Sequence, residues 1–287
     1  MLGHKLWQTF ARRFDAYVTF QEHFDHYVRY GVFDHARSVG GVLVADVDSV
    51  VRAFAIARPE VVVNCIGIVK QDAKAKDPYS STLVNGLFPH RLVRLCRAAG
   101  AQLIHISTDC VFSGRKGNYN ESDLPDAEDL YGRTKLLGEV DDEICLTVRT
   151  SMIGRELRGS YGLVEWFLGQ QGKQVRGFRR AIFSGLTTNA LAGIIAEIIE
   201  LKLPLQGVWN VAAEPINKYD LLLLLKQVYG VGIDIEPEGS FVCDRSLDGQ
   251  RFRSATGIIA PSWREMITRM HQDLTDYDEI RRTRAER

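Results

Sequence analysis

The sequence predicts an α/β protein built on a doubly wound parallel sheet, with a smaller α/β lobe in its C-terminal half. Two observations carry this. Short, near-continuous apolar runs at 61–64, 102–107 and 144–148 read as strands buried on both faces. The stretches between them carry apolar residues at helical spacing and end on Gly or Pro, which gives the strand–helix–strand rhythm of a parallel sheet.

In chain order, Leu2, Leu6, Phe10 and Phe14 recur at helical spacing, so the chain opens inside a helix. Residues 15–20 read as a short strand, and 48–58 as a helix with Asp48 as N-cap and Pro59 ending it. A strand at 61–64 is followed by a long amphipathic helix that includes 89–99 and closes at Gly100. Strand 102–107, helix 131–139 and strand 144–148 complete the first half. After Arg149 the rhythm breaks. Gly- and aromatic-rich segments at 159–172 and 177–185 precede a helix at 189–201. A strand at 207–212 is expected to return to the first sheet, and helices at 218–229 and 261–273 follow. The expected division is 1–149 for a dinucleotide-binding domain and 150–287 mainly for a substrate-binding lobe. The basic run Arg281-Arg282-Thr283-Arg284 reads as a solvated helix end.

Composition narrows the function classes. The 36 Lys and Arg balance 36 Asp and Glu, so no basic surplus supports binding to bulk nucleic acid or an anionic membrane. Five scattered cysteines with no C-x-x-C pair argue against a disulfide framework and a structural zinc site. His23-Phe24-Asp25-His26 lacks further ligands, and no metal is expected. No apolar run approaches membrane-spanning length and no signal peptide is evident, so a cytoplasmic address is expected.

The chemistry centres on Tyr131-Gly132-Arg133-Thr134-Lys135 at the start of a helix. Tyr and Lys four apart share a face, and a neighbouring ammonium favours the phenolate, bringing a phenol toward useful proton transfer. Taken alone, the pair is also what a surface Lys beside a packing Tyr would give. Upstream, the strand at 102–107 runs into Ser107-Thr108-Asp109-Cys110-Val111-Phe112, which places hydroxyls at the carboxyl edge of the sheet, where open α/β folds bind ligands. A Ser-Thr-Asp there also serves as a turn or cap. Asn64-Cys65-Ile66-Gly67 ends another strand with a residue that permits close approach, and Asn85 lies in a helix between the two.

Together, Asn64-Cys65-Ile66-Gly67, Asn85, Ser107-Thr108-Asp109 with Val111-Phe112, and Tyr131 with Lys135 resemble the extended short-chain dehydrogenase/reductase superfamily. The closest likeness is to its dTDP-4-dehydrorhamnose reductase-like branch of sugar-nucleotide reductases. It continues through Arg149-Thr150-Ser151, Gly185-Leu186-Thr187-Thr188, Asn210-Val211-Ala212 and Arg245-Ser246-Leu247-Asp248, and so covers nearly the whole chain. The resemblance implies a Rossmann-like fold and an NAD(P)-dependent reductase of a keto-sugar nucleotide in surface-polysaccharide or nucleotide-sugar biosynthesis. Tyr131 would be the general acid, with Lys135 tuning it and holding the nicotinamide ribose. Thr108 would hydrogen-bond the substrate carbonyl, and Asn85 would order a relay water or the lysine. Gly3, Asn64, Cys65, Ile66, Gly67, Ser107, Arg149, Thr150 and Ser151, with Tyr131 and Lys135, would line the cofactor. Thr108, Asp109, Cys110, Tyr131, Arg245 and Arg251 would face the substrate, the arginines reaching diphosphate oxygens or serving as surface ion-pair partners. The partner implied is a nucleotide-sugar, and a homodimer is left open.

Three departures from the family pattern stand out. Family members open with a strand and a G-x-x-G-x-x-G turn that cradles a pyrophosphate, whereas this sequence opens at what resembles the last three positions of that turn, Met1-Leu2-Gly3. The expectation is a misassigned start or a truncation, tested by in-frame coding sequence for a strand and two glycines just upstream. Cys110 stands where the branch carries Tyr. The Thr108–Cys110 spacing resembles GDP-fucose synthase-like epimerase-reductases, which makes epimerisation the alternative, although no His lies in 150–200 to serve as its acid. A dehydratase is disfavoured because its Thr-Asp-Glu triplet is broken at Cys110. Finally, the second-strand end Tyr17-Val18-Thr19-Phe20-Gln21 offers no acid for a ribose 2′-hydroxyl, although Glu22 is close, which leans toward NADP(H) over NAD(H). The regulatory subunit of methionine adenosyltransferase resembles the same branch, so a non-catalytic binding subunit is the reading from another class.

Overall fold

The computed structural model describes residues 1–285. The chain opens with helix α1 (Leu2–Phe10), whose Leu2 and Leu6 are buried as the spacing requires. Strand β1 (Val18–Thr19) is shorter than expected; helix α2 (Asp25–Val28) and strand β2 (Ser38–Val39) follow. Helix α3 (Val47–Ala57) is capped by Asp46, which accepts from the Asp48 and Ser49 amides, so the expected cap at Asp48 is corrected by two residues. Asp46 has the extended backbone an N-cap needs, while Asp48 already lies in the first turn. Strand β3 (Val61–Asn64) and helix α4 (Pro78–Ser81) lead into a π-helical stretch, Thr82–Leu87, continuous with helix α5 (Phe88–Ala99). Gly100 ends α5 at φ 70°, a conformation that favours glycine. Strand β4 (Gln102–Ile106), helix α6 (Leu130–Leu137) and strand β5 (Cys145–Arg149) follow.

The second half contains β6 (Met152–Ile153), α7 (Leu163–Leu168), β7 (Gln174–Phe178), β8 (Ala181–Phe183), β9 (Leu186–Thr187) and α8 (Thr188–Glu200). It continues through β10 (Gly207–Asn210), β11 (Ile216–Asn217), α9 (Lys218–Tyr229), β12 (Asp234–Glu238) and β13 (Cys243–Asp244). Helices α10 (Gln250–Thr256), α11 (Trp263–His271) and α12 (Tyr277–Ala285) close the chain. The basic run beginning at Arg281 falls in α12, and its side chains from Arg282 onward lie outside the described residues.

Among the described residues the main sheet is parallel in the order β10-β5-β4-β3. Strand β10, from within the second half, thus returns to the first sheet, in register Val208↔Thr147 and Trp209↔Val148. Alternation along the strands sends side chains to two cores. Ile104, Ile106, Leu146 and Val148 face a cluster containing Leu2 and Leu6 of α1, Leu191 and Ile195 of α8, Leu221 and Leu225 of α9 and Met266 of α11. Leu103 and Cys145 face the opposite cluster, with Val50 and Ala53 of α3 and Leu92, Val93 and Cys96 of α5. Both faces are therefore covered, which is why the strands read as apolar throughout. Strands β1 and β2 pair in parallel as a separate ribbon, not hydrogen-bonded to β3. The small strands of the second half form the sheet β11-β8-β13 and the pairs β12-β7 and β6-β9.

Candidate active site

The main sheet points its carboxyl ends at one group of side chains. After β4 the backbone stays with β5: Ser107 N donates to Val148 O at 2.8 Å and Asp109 N to Thr150 O at 3.2 Å. Thr108 is extended and its hydroxyl accepts from Cys110 N at 3.1 Å, closing the short turn that carries Asp109 and Cys110. Thr108 Oγ1 also donates to Asp109 Oδ1 at 3.1 Å.

Helix α6 brings Tyr131 to this turn. Asp129 caps it by accepting from Gly132 N at 2.8 Å and is itself paired with Lys70 at 2.7 Å. Gly132 is a requirement of the approach, since a Cβ there would overlap the Cys110 carbonyl oxygen and the Ala127 side chain. Burial lifts the Tyr131 phenol above its ordinary value, as do Cys110, Asp109 and Asp129, while a hydrogen bond with Thr108 works the other way. The two hydroxyls the sequence singles out are thus adjacent.

Lys135, one turn along, is 4% exposed and donates from Nζ to Ile106 O at 2.7 Å. Burial lowers it to about 8, opposed by Glu139 and Cys65. Its ammonium is anchored on the strand end, and the groups that shift the phenol are the acidic ones around the turn. Asn85 sits in the π-helical stretch, a local irregularity common near functional sites. Its amide is engaged: Oδ1 accepts from Ile68 N at 2.9 Å and Nδ2 donates to Ile68 O at 3.1 Å, which fixes the loop after Gly67.

The remaining predicted residues divide into two groups. Asn64 accepts from Ile66 N through Oδ1 at 3.2 Å and meets His105 Nδ1 at 3.1 Å, so its side chain shapes the turn that presents Cys65, Ile66 and Gly67. Gly3 lies beside that turn, its Cβ direction 3.5 Å from Cys65 Sγ. Ser107 and Arg149 are held elsewhere. Glu139 accepts from Ser107 Oγ at 2.7 Å and forms a two-point pair with Arg149 at 2.8 and 2.7 Å, with both charged side chains 6% exposed. Among the described residues Arg149 Nη1 has no hydrogen-bond partner, and Arg149 lines a polar cavity of about 300 Å³ with Glu121, Asp141, Gln206 and Arg251. Thr150 and Ser151 are tied into the backbone below, Ser151 O accepting from Leu186 N at 2.9 Å.

Arg245 reaches the turn after β4, with Nε donating to Phe112 O at 2.9 Å and Nη1 3.8 Å from Cys110 Sγ. Arg251 points instead at the main-sheet edge, donating to Val208 O at 3.0 Å and lying over the Trp209 ring. Two further residues belong to the region. Glu139 lies just past the end of α6, beyond its C-cap Gly138, and its pairing with Arg149 becomes visible only in three dimensions. Lys218, the first residue of α9, acts electrostatically on Asp109. Nothing in its local pattern marks it.

The donor set fits a nicotinamide dinucleotide: α1 begins without a side-chain cap and lies beside the Cys65–Gly67 turn with Lys135 near. A doubly wound parallel sheet with hydroxyl, phenol and ammonium groups at its carboxyl edge defines the class of the extended short-chain dehydrogenase/reductase fold. Within that class, the chain belongs to the family described as the RmlD substrate binding domain, which matches residues 1–231. It is 40% identical over 101 residues to a dTDP-4-dehydrorhamnose reductase of Streptomyces griseus, covering 35% of this chain and 33% of that protein. It is 34% identical over 82 residues to methionine adenosyltransferase 2 subunit beta of Xenopus laevis, covering 29% of this chain and 25% of that one. The chain thus spans a third or less of the length of these curated relatives. The fold is shared with dTDP-4-dehydrorhamnose reductase from Bacillus anthracis in complex with NADP, at TM-score 0.72 and 19% identity over 90% of this chain and 99% of that one. It is shared equally with a dTDP-glucose 4,6-dehydratase of the same organism in complex with NAD, at TM-score 0.76 and 12% identity over 95% and 92%. No helix among the described residues is long and apolar enough to cross a membrane.

Proposed function

We propose that the chain is an NAD(P)-dependent reductase of a keto-sugar nucleotide, similar in action to the dTDP-4-dehydrorhamnose reductases. The observation that carries the reading is the placement of the Thr108 hydroxyl against the Tyr131 phenol at the carboxyl end of β4, with Lys135 buried one helical turn away. A bound nicotinamide dinucleotide would supply the hydride. Thr108 turns its hydroxyl proton from Asp109 to the substrate carbonyl, and Tyr131 delivers the proton to that oxygen as negative charge develops on it. The high proton affinity that burial gives the phenol keeps the acid loaded at neutral pH. Lys135 holds the nicotinamide ribose, and the α1 amino end with the Cys65–Gly67 turn receives the rest of the dinucleotide. Residues 150–287 supply most substrate contacts. NADP(H) is preferred over NAD(H), on the absence of an acid at the end of β1.

Epimerisation through Cys110 is less well supported. A proton-abstracting thiolate needs a lowered pKa, yet burial and Asp109 push this thiol up to about 12. The test is fluorescence titration with NADPH and NADH, then turnover with a dTDP-linked 4-keto-6-deoxysugar. Tyr131→Phe should cut turnover by about 10²–10⁴-fold with dinucleotide binding retained. Undiminished turnover removes the acid assignment. An intact chain that binds neither dinucleotide removes the reductase reading and favours a binding subunit.

A further inference from the structure

The small sheet β11-β8-β13 brings two cations to the catalytic turn from opposite sides of one strand. Its register is Asn217↔Ile182 on one side of β8 and Asp244↔Ile182 on the other. Lys218 directly follows β11, and Arg245 directly follows β13 with its amide on Ile182 O at 2.9 Å. Both act on Asp109 and on Cys110. Arg245 is partly satisfied, since Nε holds the Phe112 carbonyl and Nη1 lies 3.8 Å from Cys110 Sγ. Lys218 is not: its ammonium stands 3.6 Å from the centroid of the Phe183 ring, with no hydrogen bond or ion pair to an oxygen among the described residues. An aromatic face attracts a cation but leaves its N–H donors without acceptors.

The local charge sum is positive. Lys218 and Arg245 face Asp109, whose ionisation burial disfavours, while Asp129, which also acts on Arg245, is already paired with Lys70. Lys218 is itself half-buried and drawn down to about 8, so holding its charge here costs energy that an anion would recover. We propose that Lys218, with Arg245, recognises a carboxylate carried on the sugar ring, so that the substrate is a nucleotide-linked keto-sugar acid. This rests on the reductase reading above. The position favours the ring substituent over the diphosphate. Lys218 and Arg245 border the turn whose Thr108 and Tyr131 take the carbonyl, and a carboxylate on the adjacent ring carbon falls beside that carbonyl. The diphosphate leaves from the opposite side of the ring when the carbonyl is at C4.

The experiment compares matched ligands that differ only in the carboxylate: glucose and glucuronate, linked to UDP and to dTDP, titrated calorimetrically into the intact chain. The glucuronate should bind about tenfold more tightly than the glucose in at least one pair, the scale of a charge-assisted hydrogen bond. In Lys218→Met that ratio should collapse toward one, and Lys218→Arg should keep most of it. Equal affinities, no binding of any of the four, or a Lys218→Met loss shared equally by both sugars of a pair overturns the proposal, the last by assigning the lysine to the diphosphate. NADPH titration of the same samples separates the two readings. A ratio retained without dinucleotide binding sinks the reductase and leaves the carboxylate site standing.

Discussion

At the scale of single residues, burial sets the ionisation of the site. Lys135 loses its solvation against the Ile106 carbonyl and drops from 10.5 to about 8. The unfolded chain keeps this proton up to the ordinary value, so the cost of the buried ammonium is fully present below about pH 8 and is relieved as pH rises between the two values. The functional consequence has the opposite sign. An ammonium that holds the dinucleotide is lost as pH climbs through about 8, so NADPH affinity should weaken above that point and binding there should take up protons. Calorimetry in buffers of different ionisation enthalpy reads this uptake. Lys135→Met should abolish it, and an unchanged uptake in that variant would reassign it, with Lys218 the next candidate. Thr108, Tyr131 and Lys135 were legible in the sequence because helix and strand spacing place them with short-range rules. The partners of Ser107 and Arg149 were not. Both were expected at the cofactor, and both side chains are held by Glu139, a contact across β4, β5 and α6 that no local pattern encodes. Such a pair is costly to break from one side, because the remaining charge is left buried.

At the scale of elements, the site depends on how closely α6 approaches the turn after β4. Two opposing effects meet at Gly132. Replacing glycine with alanine inside a helix ordinarily gains about 1 kcal/mol, but here the new methyl would overlap the Cys110 backbone carbonyl, which cannot swing aside as a flexible side chain would. Overpacking of this kind costs about 1–3 kcal/mol. Gly132→Ala should therefore destabilise the chain in urea denaturation despite the better helix former, and lower turnover more than dinucleotide affinity by shifting Tyr131 away from Thr108. Greater stability in the variant would show that the approach is looser than described. The long elements of the first half were readable because a run of four or five apolar residues is itself evidence for a covered strand. In the second half, β6, β8, β9, β11 and β13 are two or three residues long and defined by partners distant in sequence, such as Phe183 with Ile216. No periodicity can develop over so few positions. The displaced α3 cap is a smaller miss: Asp46 and Asp48 are chemically equal, and only backbone conformation chooses between them.

At the scale of the whole molecule, the division of the parallel strands matters most. The β1–β2 ribbon carries an aromatic cluster of its own besides the Val39 and Val42 contacts to the main core: Phe20 stacks on Tyr27 at 4.1 Å and meets Phe33 edge-on at 4.8 Å, with Trp7 Nε1 donating to Val32 O. Two separately bonded sheets should open as separate units. Native-state hydrogen exchange should give the amides of Phe20 and Val42 a lower opening free energy than those of Leu103 and Ser107, which bond to Ile144 and Val148. Identical values would mean that ribbon and main sheet unfold as one.

The side chains along β10 carry a different consequence. This strand forms the outer margin of the main sheet, and its outward-facing backbone groups at Val208 and Asn210 are already taken: Arg251 donates to the Val208 carbonyl, and Glu121 accepts from the Asn210 amide at 3.0 Å. A parallel sheet rich in apolar residues is a template on which neighbouring molecules can polymerise strand by strand. Here one arginine and one glutamate, drawn from segments far apart in sequence, plug that template, so strand-by-strand growth on this flank is blocked by side chains rather than by backbone.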